Sequence, residues 1–113
     1  MRSVRNLKGL NLQSLDLGGT SVSDAGLAQL ASMTELKVLG LGGTNVSDKG
    51  LIHLKGFNRL DKLEFDSTNI SDAGLEFLKG LSSLRTLELR GSRVTDAGVD
   101  RLRSALPNCA ILH

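Results

Sequence analysis

The chain contains few of the residue types that stabilise or functionalise many small domains. Its 113 residues include one cysteine (Cys109), one proline, three phenylalanines, and neither tryptophan nor tyrosine. A lone cysteine excludes an intrachain disulfide, which fits a reducing compartment. The core must be aliphatic, and the Trp and Tyr side chains that dominate tight protein interfaces are missing. The net charge of +2 is too small to indicate a polyanionic partner.

Long apolar runs are also missing. The first residues, MRSVRNLKGLNL, contain no apolar stretch of signal-peptide length. No segment approaches the roughly 20 apolar residues that a membrane-spanning helix needs. We therefore expect an intracellular protein, in the cytoplasm or the nucleus, without a membrane partner.

The main feature that is present is a 24-residue period, repeated four times. The pattern LxxLxLxx[TS]x[VI][ST]DxG[LV]xxLxx begins at Leu12, Leu36, Leu60 and Leu84. Such a period indicates a solenoid, in which each unit is too small to bury its own apolar face and stacks on its neighbours. We predict a single domain over 1–113, with a partial N-terminal repeat at 1–11, full repeats at 12–35, 36–59, 60–83 and 84–107, and a C-terminal cap at 108–113.

Each repeat reads as a short strand, a turn and a short helix. Leucines on alternate positions predict parallel strands near 14–17, 38–41, 62–65 and 86–89. Ile111 and Leu112 predict a short closing strand. A Ser or Thr precedes one Asp in every repeat, and these two residue types suit the N-cap and the first turn of a helix. We therefore assign the recurring aspartates to helix capping rather than to metal binding: Asp24, Asp48, Asp72 and Asp96.

A glycine recurs two residues after each of these aspartates, at Gly26, Gly50, Gly74 and Gly98. Glycine in a helix costs up to about 1 kcal/mol relative to alanine. Its recurrence predicts that adjacent repeats approach too closely there for a Cβ. The spacing matches neither GxGxxG nor a P-loop, which argues against phosphate binding.

The repeats resemble the leucine-rich repeat family, in a form similar to the intracellular repeats of ribonuclease-inhibitor-like proteins and F-box substrate adaptors. The resemblance implies an α/β fold: a right-handed solenoid with a parallel sheet on the concave face and short helices on the convex face. It also implies protein–protein recognition through the concave face. The family's usual asparagine is replaced by hydroxyl residues, which can bond a neighbouring turn with less capacity than an amide: Thr20, Thr44, Thr68 and Ser92.

The outward strand positions are the candidate contact residues for a partner. The first half of this face is small and includes Asp16 and Val38. The second half is densely charged or polar and comprises Lys62, Glu64, Asp66, Thr86, Glu88 and Arg90. Glu64 and Glu88 should lie about 5 Å apart on adjacent strands.

Three interpretations of this glutamate pair remain open. Lys62 and Arg90 can compensate the two carboxylates, with Asp66 beside Arg90. The residues can also form a contact patch for a basic or polar partner. The third interpretation, a cation site or an acid–base pair, is weakened because no His or Cys falls on this face, and His53 belongs to the helical side.

The concave face alone is small for a stable interface, which generally needs about 800 Å² per partner. Flanking turns at Asn45, Asn69 and Arg93 could extend it, or the chain could oligomerise or belong to a larger leucine-rich assembly. No paired nucleophile and base is present, so we expect a non-catalytic interaction or scaffold protein without cofactor or metal. Nucleic-acid association through the basic chain ends is the alternative, which the lack of base-stacking aromatics disfavours.

Overall fold

The computed structural model describes residues 13–113, which form a solenoid around one parallel sheet. Its five strands lie in chain order: β1 (Ser14–Asp16), β2 (Val38–Gly40), β3 (Lys62–Glu64), β4 (Thr86–Glu88) and β5 (Ala110–Leu112). The four repeat strands and the closing strand are confirmed, although each repeat strand is one residue shorter than expected. The expected partial repeat at 1–11 lies outside the described residues.

The register of the sheet follows directly from the repeat. Each strand residue pairs with its equivalent in the next repeat, so that Leu15 pairs with Leu39, Leu39 with Leu63, and Leu63 with Leu87. Because side chains alternate along a strand, this register puts one column of leucines into the core and leaves two columns on the opposite face.

Short helices pack against the core side of the sheet. They are α1 (Asp24–Leu30), a 3-10 helix (Asp48–Leu54), α2 (Asp72–Leu75) continued by a 3-10 turn (Glu76–Leu78), and α3 (Asp96–Ala105). Each begins directly after the expected Ser or Thr. A 3-10 helix has three residues per turn, so apolar residues three apart, such as Leu51 and Leu54, share its buried face.

The core is aliphatic, as expected. Leu39 and Leu63, in central repeats, have no solvent exposure, and Val22, Val46 and Ile70 are buried behind the turns. Val94 is only partly buried. Phe57 and Phe65 are the largest fully buried side chains, and Phe65 occupies a position that is leucine in the other repeats. Cys109 is a buried free thiol, and this burial raises its pKa.

The repeated aspartates lie in the first turn of their helices, as expected, and three of them have a second role. The carboxylates of Asp24, Asp48 and Asp72 accept hydrogen bonds from the following repeat, whereas Asp96 Oδ1 lies 2.7 Å from His113 Nε2. Ser47 donates its backbone N–H to Asp24 Oδ1 at 2.7 Å and its hydroxyl to Asp24 Oδ2 at 2.5 Å. Ser71 donates the same two groups to Asp48, and Thr95 donates them to Asp72. We call this arrangement the inter-repeat aspartate bridge.

The hydroxyl groups of three N-cap residues, Ser47, Ser71 and Thr95, take part in the bridge. Ser23, Ser47 and Ser71 occupy the N-cap position with extended backbone but make no side-chain capping hydrogen bond. Thr95 differs, because its hydroxyl oxygen also accepts from the backbone N–H of Gly98 at 3.1 Å. The Ser or Thr therefore marks where the helix starts and at the same time joins two repeats.

The aspartate bridge explains the glycine column. A Cβ added at Gly50 would lie closer to Asp24 Oδ1 than real Cβ atoms approach other heavy atoms, and Gly74 has the same relationship to Asp48 Oδ1. Gly98 is equally close to the Asp72 carboxylate. The predicted close approach between repeats is confirmed at these three glycines, where the carboxylate of the preceding repeat approaches, whereas a Cβ at Gly26 would meet Val22 Cγ2 of its own repeat at 2.5 Å.

The turn hydroxyls act inside their own repeats, in contrast to the expected bond to a neighbouring turn. Thr20, Thr44 and Thr68 each donate to the carbonyl oxygen three residues earlier, at 2.6 Å, and Ser92 does the same. A hydroxyl is short and sits close to its own backbone, so it reaches the carbonyl of its own turn. Thr44 and Thr68 are buried and satisfied in this way.

Candidate functional site: the sheet face

The candidate contact residues lie on the side of the sheet opposite the helices, which we call the sheet face. One column across the strands contains Ser14, Val38, Lys62, Thr86 and Ala110. A second column contains Asp16, Gly40, Glu64, Glu88 and Leu112. Asp66 and Arg90 lie two residues beyond the ends of β3 and β4. The repeat register therefore brings all eight predicted residues to one face or its border.

Lys62 connects the two glutamates. Its Nζ lies 3.3 Å from Glu88 Oε2 and 3.9 Å from Glu64 Oε2, while Glu64 and Glu88 are direct register partners. The Glu88 side chain is only 15% exposed, against 34% for Glu64 and 41% for Lys62. Compensation of the glutamates by Lys62 is thus confirmed. The more exposed Lys62–Glu64 pair is of the kind that contributes at most about 1 kcal/mol.

Arg90 does not take part in this compensation. Its backbone N–H donates to Asp66 Oδ1 at 2.7 Å, so Asp66 is beside Arg90 as expected but is held by the main chain. Among residues 13–113, the Arg90 guanidinium forms no ion pair. The exposed guanidinium remains available to a partner at the border of the sheet face.

The first half of the sheet face contains a glycine notch. Asp16 Oδ1 accepts from the backbone N–H of Gly18 at 2.8 Å, which orients this carboxylate along the face. A Cβ at Gly40 would lie 2.7 Å from Asp16 Oδ1 and 3.1 Å from Glu64 Oε1. The two carboxylates therefore approach each other above Gly40, where the sheet has no side chain of its own.

The turns beyond the carboxyl ends of the strands also stack in register. Asn45, Asn69 and Arg93 each form an isolated parallel bridge with the serine of the preceding repeat. Arg93 Nη1 donates to Asn69 Oδ1 at 3.3 Å, and all three residues are exposed. These turns form a continuous polar border that could enlarge the contact area of the sheet face.

A second charged surface was not predicted. The strand-entry groove, about 660 Å³ in volume, lies at the amino ends of the strands and is lined by residues including Lys37, Arg59, Asp61, Ser82, Arg85 and Asn108. One residue before each of three strands lies a charged side chain: Lys37, Asp61 or Arg85. The 24-residue period that predicted the sheet face also aligns these three residues in a column, so it could have revealed the groove.

The described part of the chain shows two further absences. Within residues 13–113, no group of three or more His, Cys, Asp or Glu residues is arranged to hold a metal ion. In the same range, no helix combines the length and the hydropathy needed to cross a membrane. His53 lies in the 3-10 helix, on the helical side as expected.

Comparison with known proteins agrees with this architecture. The family model described as Leucine Rich repeat matches residues 10–31 and 80–102. No curated protein sequence matches the chain.

Several solved structures have a similar fold. Internalin C2 of Listeria monocytogenes aligns with 96% of the chain at 27% identity and a TM-score of 0.66, and another internalin of that organism does so at 22% identity and a TM-score of 0.62. The chain spans 44% and 36% of the lengths of these two proteins. Actin-binding site 2 of leiomodin-1 aligns with 96% of the chain at 15% identity and a TM-score of 0.72, and the chain covers 73% of it.

The repeat match and the parallel sheet with short helices together define an α/β leucine-rich repeat fold. The family model and the structural neighbours thus support the leucine-rich repeat family for this chain.

Proposed function

We propose that this protein is a non-catalytic interaction module that binds a protein partner through the sheet face and its flanking turns. Leucine-rich repeat domains in general serve protein interaction, and the same fold contains an actin-binding site in leiomodin-1. The observation that carries the proposal is the charged cluster of Lys62, Glu64 and Glu88 on an otherwise open sheet face.

The geometry of the cluster supports a binding role. Lys62 restrains the two carboxylates that share a strand register, so less side-chain freedom is lost when a partner binds. The Asp16 and Glu64 carboxylates lie over Gly40, so the charged surface continues from the second half of the face into the first.

The contact area sets a condition on this proposal. The two columns of the sheet face are too small for the roughly 800 Å² per partner of a stable interface. The exposed turns at Asn45, Asn69 and Arg93 would extend the contact beyond the sheet. Assembly into a larger complex or an oligomer would extend it further. The proposal includes an intracellular location, which the single free cysteine supports.

An affinity capture from source lysate tests the proposal. The bait is the wild-type chain, compared with the double variant Glu64→Lys/Glu88→Lys. The matched control is Glu76→Lys/Asp100→Lys, which makes the same charge change at exposed helical residues. A protein captured by the wild type and the control but lost with the sheet-face variant supports the proposal. Equal capture by all three baits contradicts it.

A further inference from the structure

The strand-entry groove presents cations from successive repeats at fixed spacing. The backbone N–H of Asp61 donates to the Lys37 carbonyl at 2.7 Å, and that of Arg85 donates to the Asp61 carbonyl at 2.8 Å. These three residues are therefore stacked one strand apart. With a strand spacing of about 4.8 Å, the backbones of Lys37 and Arg85 lie roughly 10 Å apart.

The groove is positively charged and its cations are largely uncompensated. Its lining contains three cationic side chains, Lys37, Arg59 and Arg85, and one carboxylate, Asp61. Arg59 Nη1 is paired with Glu35 Oε2 at 2.7 Å. Neither Lys37 nor Arg85 forms an ion pair with any residue in 13–113, and both are exposed.

Neutral hydrogen-bonding groups complete the lining. Ser82 and Asn108 are exposed beside Arg85, whereas the Ser83 hydroxyl already donates to the Leu60 carbonyl at 2.6 Å. The volume of about 660 Å³ lies within the range of ligand-binding clefts, which is roughly 300–1,000 Å³. The groove therefore has both the room and the donors for an anionic ligand.

We propose that the strand-entry groove binds an extended acidic peptide segment of a protein partner, with one carboxylate at Lys37 and a second at Arg85. In a polyproline II segment, side chains three residues apart lie about 9 Å apart on the same side, which matches the separation of about 10 Å between the Lys37 and Arg85 backbones. Asp61 lies between them and repels a third anion, so the groove selects spaced carboxylates over a continuous polyanion.

This binding site is independent of the proposed contact at the sheet face. The cations of the groove lie before the strands, whereas Glu64 and Glu88 end β3 and β4. Only Val38 belongs to both surfaces. The two proposals can therefore fail separately, because charge reversal in the groove leaves the cluster of Lys62, Glu64 and Glu88 unchanged.

A chemical-shift titration on the full chain tests the acidic-peptide proposal. The probe is the capped peptide Gly-Ser-Glu-Pro-Pro-Glu-Ser-Gly, with its Glu→Gln counterpart and a short oligothymidylate as comparisons. The variants are Lys37→Glu/Arg85→Glu in the groove and Lys49→Glu/Lys55→Glu on the helical side, which changes net charge equally. Circular dichroism establishes that each variant is folded.

The expected result is a set of amide shifts centred on residues 37, 61 and 85, produced by the Glu peptide alone. Apparent affinity should fall at least about tenfold in the groove variant, stay near wild type in the helical-side control, and rise in Asp61→Asn. Absence of shifts at millimolar peptide, equal shifts with the Gln peptide, or equal binding by the groove variant would overturn the proposal. Stronger binding of the oligothymidylate at the same amides would overturn it in favour of nucleic acid.

Discussion

Asp24 accepts two hydrogen bonds from Ser47 in the next repeat, one from the backbone N–H and one from the hydroxyl. Asp48 and Ser71, and Asp72 and Thr95, repeat the same geometry. A solenoid is held together by contacts between neighbouring units, so a polar bridge present at each repeat boundary contributes to its cooperativity. The carboxylate of each bridge is also the group that a Cβ would meet at the glycine of the next repeat, at Gly50, Gly74 and Gly98.

Removal of one bridge should destabilise the chain. We expect Asp48→Ala to lower the free energy of unfolding by about 1–3 kcal/mol, because the amide and hydroxyl of Ser71 lose a charged acceptor. Chemical denaturation measures this change. Asp100→Ala is the control, since Asp100 is exposed and pairs only with Arg103 in α3, and its effect should stay within about 0.5 kcal/mol. Equal losses in the two variants would show that the bridge adds nothing.

The glycine column predicts a coupling between two repeats. Gly74→Ala should destabilise the chain although alanine favours helix by up to about 1 kcal/mol, because its Cβ would collide with Asp48 Oδ1 and the Leu51 side chain. In an Asp48→Ala background the loss should be smaller, with a coupling energy of about 0.5–3 kcal/mol. A double-mutant cycle of unfolding free energies measures it. Gly80→Ala is the neutral control, because a Cβ there meets no atom within 4 Å. If the unfolding free-energy changes of Gly74→Ala and Asp48→Ala are strictly additive, the proposed collision does not occur.

Ser67 is a strained position in the turn. Its φ of 57° is positive, whereas the equivalent residues are glycines with φ of 73°, 67° and 72°, namely Gly19, Gly43 and Gly91. The left-handed region costs an L-residue about 1–2 kcal/mol. Replacing Ser67 by glycine removes this cost, but part of the gain is lost because glycine gives up more conformational entropy on folding. We expect Ser67→Gly to stabilise the chain by about 0.5–1 kcal/mol in thermal or chemical unfolding. Ser104→Gly is the control and should destabilise the chain, because Ser104 lies inside α3. If Ser67→Gly also lowers the free energy of unfolding, Ser67 is not strained.

The last complete bridge predicts a pH dependence. The hydroxyl of Thr95, followed by its backbone N–H, holds the pKa of Asp72 below its ordinary value. A carboxyl whose pKa is lowered on folding stabilises the protein above its unfolded pKa, and this stabilisation is lost as the pH falls through the folded pKa. The stability advantage of wild type over Asp72→Asn should therefore be full near neutral pH and shrink below about pH 4. Unfolding of both proteins across this range measures it; an advantage that grows on acidification would contradict the assignment.

The sheet register could be predicted from the sequence, because only one register buries the column of leucines. A shift of one residue would expose Leu39 and Leu63 and bury Val38 and Gly40 instead. The columns of the sheet face follow from the same alternation, which is why Glu64 and Glu88 could be paired before their coordinates were known. The glycine column was also predictable, because repeated loss of a side chain in a helix has few physical causes.

The aspartate bridges were not predictable from the same reasoning. A Ser-Asp pair at a helix start fits capping within one repeat as well as bonding between two, and only the three-dimensional offset between repeats distinguishes these cases. Arg90 was expected to compensate the two glutamates together with Lys62, whereas its backbone N–H donates to Asp66 and its guanidinium forms no ion pair among residues 13–113. The strand-entry groove was missed because Lys37, Asp61 and Arg85 fall just outside the strands.

The most direct test of the central claim, that the sheet face binds a protein partner, is an association-rate measurement with the captured partner. Binding to wild type, Glu64→Lys/Glu88→Lys and the helical-side control Glu76→Lys/Asp100→Lys is followed by interferometry at low and high salt. We predict a slower association and weaker affinity for the sheet-face variant, with the difference largest at low salt, where charge is least screened. Wild-type association by the folded sheet-face variant at every salt concentration would contradict the claim.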